Sequence, residues 1–331
     1  MTTRDHQPPT MTARTPEDLL AVVPVVLGFH PEDSIVMLTF GSPSGSFHAR
    51  VDLPPRFSVG AAVAPLLAAS QRNRVDRAAF VIYSCDEPLG VFTAAQIRRA
   101  FRGAGIDVIT VLRADGARWF EIDPRINPGK GRSYDVSAHR FAAQAVFDGT
   151  VTHRSRADLA ASLVPVPDQV AEVASHLPAI LSQLGSVQVS AEAAWAAETV
   201  AAAVRRTAGP AVRADVVARL AVALVDDHAR DRVLLTLRRS NASGHARLWS
   251  EVLRRVPEEF VVAPAGLLAV AAWQSGQGAL AWCAVDRCLE IEPEDGVAAC
   301  VAGLLEHAVP PNAWEAWLTG PSSSTPGPDA G

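Results

Sequence analysis

The residues best placed to do chemistry are charged side chains next to apolar runs. Ser84-Cys85-Asp86-Glu87 follows the run Ala78 to Tyr83, and Arg113 and Asp115 follow Asp107 to Leu112. Arg50 and Asp52 lie two residues apart, on the same side of a strand if that stretch is extended. Ligands of open α/β sheets bind beyond the carboxyl ends of the strands. If the two central strands run parallel, Ser84, Asp86, Glu87, Arg113 and Asp115 share one rim, and Asp52 joins them if its strand points the same way. Carboxylates beside arginines could serve metal-assisted or phosphate chemistry. The same residues could instead cap the following helices and pair among themselves. For Arg50 and Asp52 the alternatives are a recognition pair, or an arginine paired across the sheet beside a turn-capping aspartate. Trp119, next to Arg118, could stack a planar ligand or pack on the sheet.

A second place for chemistry is the loop Asp123 to Tyr134, DPRINPGKGRSY. Its glycines, Lys130, Arg132 and Ser133 could hold an anion on free backbone N–H groups, or form an ordinary surface loop. It lacks the Walker spacing. Gly41-Ser-Pro-Ser-Gly45 has the outline of a nucleophile elbow but puts Pro43 where the serine must stand. No G-x-G-x-x-G follows a strand and no H-E-x-x-H occurs. His30 reads as a turn residue. No catalytic residue, metal site or cofactor is assigned.

The elements that must position these groups are legible. Leu19 to Leu27 is an apolar helical segment stopped by Gly28, where a left-handed cap is expected. Ser34 to Phe40 reads as a buried strand and His48 to Leu53 as its half-exposed partner. Ser58 to Gln71 reads as a helix with Ser58 as its cap, and Val91 to Arg102 as the next, closed by Gly103 and Gly105. Asp115-Gly116 predicts a hairpin into Arg118 to Ile122. The order helix-ββ-α-β-α-ββ predicts a mixed sheet in an N-terminal α/β domain.

Strand signal stops beyond Tyr134, and an all-α C-terminal region is expected, broken at Gly149, Pro165/Pro167, Gly185, Gly209-Pro210, Gly244, Pro257, Gly276/Gly278 and Pro293. Within it, Val262 to Pro293 matches one tetratricopeptide-like unit, a repeat of about 34 residues. The expected boundaries are a disordered N-terminus over 1–14, the α/β domain over 15–134, a helical connector over 135–167, a helical domain over 168–318 and a disordered tail over 319–331. Val164-Pro-Val-Pro167 is the expected hinge, and Met1 and Met11 are both possible starts.

The stretch Leu19 to Pro55 contains VP-x-x-LGF-x-P-x-x-S, an apolar strand and then RVDLPP. That order resembles the actinobacterial family catalogued as domain of unknown function 4192. The resemblance covers most of the chain and implies an architecture but no activity. It would place cysteines near the 123–134 loop; this chain has none there, so no metal role is carried over.

Composition narrows the function classes. The net charge of -5 supplies no basic field for nucleic acid or anionic membrane. The doublets Arg205-Arg206, Arg238-Arg239 and Arg254-Arg255 are offset by nearby acids including Asp215 and Glu251, so nucleic acid is not an expected partner. No apolar run approaches the roughly 18 residues of a membrane span. Cys85, Cys283, Cys288 and Cys300 lack C-x-x-C spacing and read as buried free thiols in a reducing, cytoplasmic compartment. The leading functional expectation is a non-catalytic interaction or regulatory module presenting a helical surface to a protein or peptide. The alternatives are an enzyme or nucleotide-binding protein using the strand-end rim, and DNA association through the arginine doublets.

Overall fold

The structure is a computed structural model, and it describes residues 12–42, 47–123, 125, 130–147, 151–184, 189–206 and 211–312. The chain opens with α1 (Pro16–Leu27), then β1 (Ser34–Phe40), β2 (His48–Asp52), α2 (Val59–Arg72), β3 (Arg77–Tyr83), α3 (Glu87–Gly103), β4 (Asp107–Ala114), β5 (Arg118–Glu121) and β6 (Arg132–Ser133). The six strands form one sheet in the order β2-β1-β3-β4-β5-β6. Only β3 and β4 are parallel; every other neighbouring pair is antiparallel. The mixed sheet and its element order are those expected from the sequence. The short β6 adds a strand inside the candidate anion loop.

Both faces of the sheet are covered, which is why β1 and β3 read as continuous apolar runs rather than alternating ones. Ile35, Met37, Phe80, Ile82 and Val111 face α2 and α3, where Phe80 meets Phe101 edge to face at 4.9 Å between ring centroids. Val36, Leu38, Val81, Tyr83 and Leu112 face the other way, toward α1 and the helical half. That second apolar cluster is continuous from Leu20 on α1 to Trp249, Leu268 and Val301 far down the chain.

Beyond β6 the described residues are helical, apart from a single bridge between Phe29 and His153. The helices are α4 (Arg140–Phe147), α5 (Arg156–Ala161), α6 (Pro167–Leu184), α7 (Val189–Val204), α8 (Ala214–Ala223), α9 (Asp227–Leu234), α10 (Ala242–Leu253), α11 (Val262–Gln274), α12 (Gly278–Leu289) and α13 (Gly296–Glu306). The proline-rich stretch before α6 is tied down: Val166 N–H donates to the Arg254 carbonyl at 2.9 Å. Gly149, Gly185 and Gly209-Pro210 lie outside the described residues.

Three local expectations are corrected. Gly244 does not interrupt the chain but lies inside α10, where a Cβ would sit 2.8 Å from Val204 Cγ1; its small size permits a close approach to α7. Ser58 makes no side-chain cap on α2, because a 3-10 turn over Arg56–Ser58 already leads into that helix. Cys283 and Cys288 are buried, whereas Cys85 and Cys300 are exposed; all four are free. Gly28 meets its expectation: with φ 79° it ends α1, its N–H donating to the Pro24 carbonyl and its own carbonyl accepting from His153.

Candidate functional site

Strand direction decides which rim residues meet. β2 and β3 are both antiparallel to β1, so β2, β3 and β4 all end on one edge of the sheet. The registers Ser34 to Asp52, Ser34 to Tyr83 and Tyr83 to Ala114 put Asp52, Ser84 and Asp115 along that edge. β5 and β6 add Arg118 and Ser133, which are register partners. Three strand spacings still separate β2 from β4, about 14 Å, so Asp52 is remote from Arg113.

Among the described residues every rim side chain except that of Glu87 has a local partner. Arg50 pairs with Asp52 at 2.5 Å and also reaches the Glu32 carbonyl. Asp86 is the N-cap of α3, accepting from Leu89 N–H at 2.9 Å, and exposed Glu87 begins that helix, where an acid complements the helix dipole. Arg113 is only 4% exposed. Its guanidinium lies 4.1 Å from the Phe120 ring centroid and donates to the Ser84 carbonyl at 3.1 Å. Gly90 leaves the space it needs, since a Cβ there would fall 2.6 Å from Arg113 Cδ. Among the described residues no ion pair joins Asp86 or Glu87 to Arg113. Asp115 turns its carboxylate back on the hairpin, accepting from Ala117 and Arg118 N–H. Burial alone would raise its pKa, but those N–H groups and the charges of Arg113 and Arg118 hold it below the usual carboxylate range.

Trp119 is 4% exposed and donates through Nε1 to Glu17 on α1 at 3.2 Å, while Arg132 covers its ring at 5.4 Å. The Lys130 carbonyl accepts from Arg118, and Ser133 belongs to the β5–β6 ladder. Residues 126–129 of the candidate anion loop lie outside the described residues.

Two constellations are not apparent from the sequence. In the first, Asp18 on α1 is 6% exposed and accepts from Arg14 N–H, Thr15 N–H, His139 Nε2 and Arg140. Burial would push its carboxyl up, but the backbone N–H groups and Arg140 outweigh it and hold the carboxyl low. Phe141 N–H donates to His139 Nδ1, so the neutral ring carries its proton on Nε2, toward Asp18. Neighbouring acids thus fasten α1 to two elements, Glu17 to β5 and Asp18 to α4. The T-x-x-D spacing of Thr15 and Asp18 is a readable capping box, but its second role as an anchor for α4 is not.

The second is a cleft of about 790 Å³ between α6, the start of α8 and the end of α10. Gln169, Glu172 and His176 form the α6 wall. Arg213 and Asp215 stand at the head of α8, joined by two hydrogen bonds of 2.9 and 2.6 Å. Glu251 and Arg255 hold the segment before α8: Glu251 accepts from Val212 N–H at 2.9 Å, and Arg255 donates to the Val212 carbonyl and to Glu251. Arg255 is 6% exposed while Arg254 faces solvent, so this doublet presents one cation rather than two. The readable signal is Glu172 and His176 at i, i+4 on α6.

Among the described residues no three His, Cys, Asp or Glu side chains converge as a metal cage, and no helix is long and apolar enough to cross a membrane. A mixed α/β sheet continuous with a helical half, carrying a charged interhelical cleft, defines the class. The chain belongs to the family described as domain of unknown function (DUF4192), whose model matches residues 16–312. No curated protein and no solved structure matches it.

Proposed function

We propose that the protein is a non-catalytic interaction module and that its helical half supplies the surface a polypeptide partner occupies. The observation that carries this reading is the contrast between the two charged regions. At the strand-end rim most charged and aromatic groups, exposed Glu87 excepted, are engaged within the fold: Asp86 caps a helix, Arg113 is buried on Phe120, and Trp119 is bonded to Glu17. Between α6, α8 and α10 a solvent-facing depression has charged walls on separate helices. An enzyme needs its acids and a cation to converge on a reacting atom; a binding surface needs shape and complementary charge. The helix pair α11 and α12, with small residues Ala265, Ala269, Ala272 and Ala281 at the crossing, supports a tetratricopeptide-like reading of this half. The expected setting remains cytoplasmic.

The test combines affinity capture from the native host with a thermal-shift screen on the full chain. The reading expects one protein captured stoichiometrically by the wild type and lost in the Glu172→Arg variant, with no shift from Mg²⁺, Mn²⁺, ATP or GTP. A ligand-dependent rise of several degrees that vanishes in Asp86→Asn/Glu87→Gln would replace it with the rim-based enzyme or nucleotide-binding reading, since a ligand that binds only the folded state raises its stability.

A further inference from the structure

The charges lining the cleft sort into two classes. Arg213 and Asp215 neutralise each other, and Glu251 and Arg255 are committed to Val212, so a ligand would have to break existing bonds to use them. Glu172 on α6 and Arg254 at the end of α10 are both exposed, and among the described residues neither side chain has a partner. The cleft therefore offers one free anion and one free cation, on different walls. The bond from Val166 N–H to the Arg254 carbonyl brings the end of α10 to the start of α6. Glu172 lies six residues beyond Val166 along the chain, about 9 Å at the helical rise per residue. An extended chain covers that distance in two or three residues.

We propose that the cleft takes an extended polypeptide segment carrying a basic and an acidic residue two or three positions apart, the basic one against Glu172 and the acidic one against Arg254. The proposal rests on the interaction-module reading and names the chemistry of its partner. A uniformly acidic ligand, nucleic acid included, meets Glu172, and a uniformly basic one meets Arg254; like charges brought together are what exclude the wrong partner. A small zwitterion is disfavoured by the openness of the site. Small-molecule pockets bury most of their ligand, whereas Gln169, Glu172, Ala211 and Arg254 are all exposed here. His176, one turn from Glu172 on the same wall, adds a group that can donate to the bound chain.

The experiment measures fluorescence polarisation of the full chain with three labelled dodecapeptides of common Gly/Ser/Leu background: one with Arg and Asp three apart, one with two Asp, one with two Arg. The dipeptide Arg-Asp and a single-stranded oligonucleotide serve as further probes, and each is read at low and high salt. The mixed peptide should bind about tenfold tighter than either single-sign peptide, with the advantage falling at high salt. Arg254→Glu should transfer the preference to the two-Arg peptide, and Glu172→Arg to the two-Asp peptide; both positions are exposed, and circular dichroism checks the fold. Equal binding of all three peptides, or a preference unmoved by either reversal, overturns the assignment while leaving the module reading standing. Tighter binding of the oligonucleotide, or equal binding of the dipeptide, replaces the occupant and likewise overturns it. The module reading fails separately, through the nucleotide or metal shift described above.

Discussion

His245 makes the helical half sensitive to mild acid. It sits on α10, is 1% exposed, and among the described residues neither ring nitrogen has a hydrogen-bond partner. Burial therefore disfavours the imidazolium and lowers its pKa from 6.5 to about 4. The unfolded chain takes up a proton as pH falls through about 6.5, while the folded chain does so only near 4. In that window the unfolded state binds more protons, so stability falls with falling pH, by about 1.4 kcal/mol per pH unit once the unfolded histidine is protonated. Between pH 7 and pH 5 the expected loss from this residue alone is about 2 kcal/mol. His245→Leu removes the titration together with two unsatisfied buried nitrogens, each orphaned group costing about 1–3 kcal/mol. The variant should be at least as stable as the wild type at pH 7 and should lose about 2 kcal/mol less on going to pH 5. Urea unfolding followed by circular dichroism at both pH values gives the double difference, in which the other eight histidines cancel. Equal losses in the two proteins would refute the argument, as would a variant strongly destabilised at pH 7.

Two further perturbations separate backbone and capping effects from site chemistry. At Gly28 a Cβ would meet no described residue within 4 Å, so Gly28→Val costs only the left-handed backbone, about 1–3 kcal/mol, and Gly28→Asn less; matching unfolding midpoints for all three proteins would show that the positive φ is not what the position requires. Asp86→Ala should lose about 1 kcal/mol as a helix cap is removed, while Asp86→Asn, an equally good cap, should be close to neutral; an Asn variant as damaged as Ala would mean that the charge matters.

How far the sequence can be read follows from the range over which each determinant acts. The strands β1, β3 and β4 are legible because burial on both faces leaves continuous apolar runs, and Gly28 because a helix must stop within a few residues of a strand. The shared rim of Asp52, Ser84 and Asp115 is legible once strand directions are assigned. What each rim residue does there is less accessible. Asp86 suits a cap and a metal ligand equally well until Leu89 N–H is seen to take it, and Arg113 looks like a surface cation until Gly90 and Phe120 enclose it.

The cleft is illegible for a different reason. Periodicity says which face of a helix is buried but not which other helix covers it, and the walls come from positions as far apart as Gln169 and Arg255. Gly244 misleads in the same way, since a glycine that ends a helix and one that lets two helices touch look alike in sequence. Charge on a helix is likewise uninformative until its partners are known. The Arg254-Arg255 doublet could be taken for a nucleic-acid stripe, yet packing commits Arg255 to Val212 and Glu251 and leaves Arg254 without a partner among the described residues. The functional content of such a pair therefore lies in the side chain that folding has not already used, and the same rule picks Glu172 from the acids around the cleft.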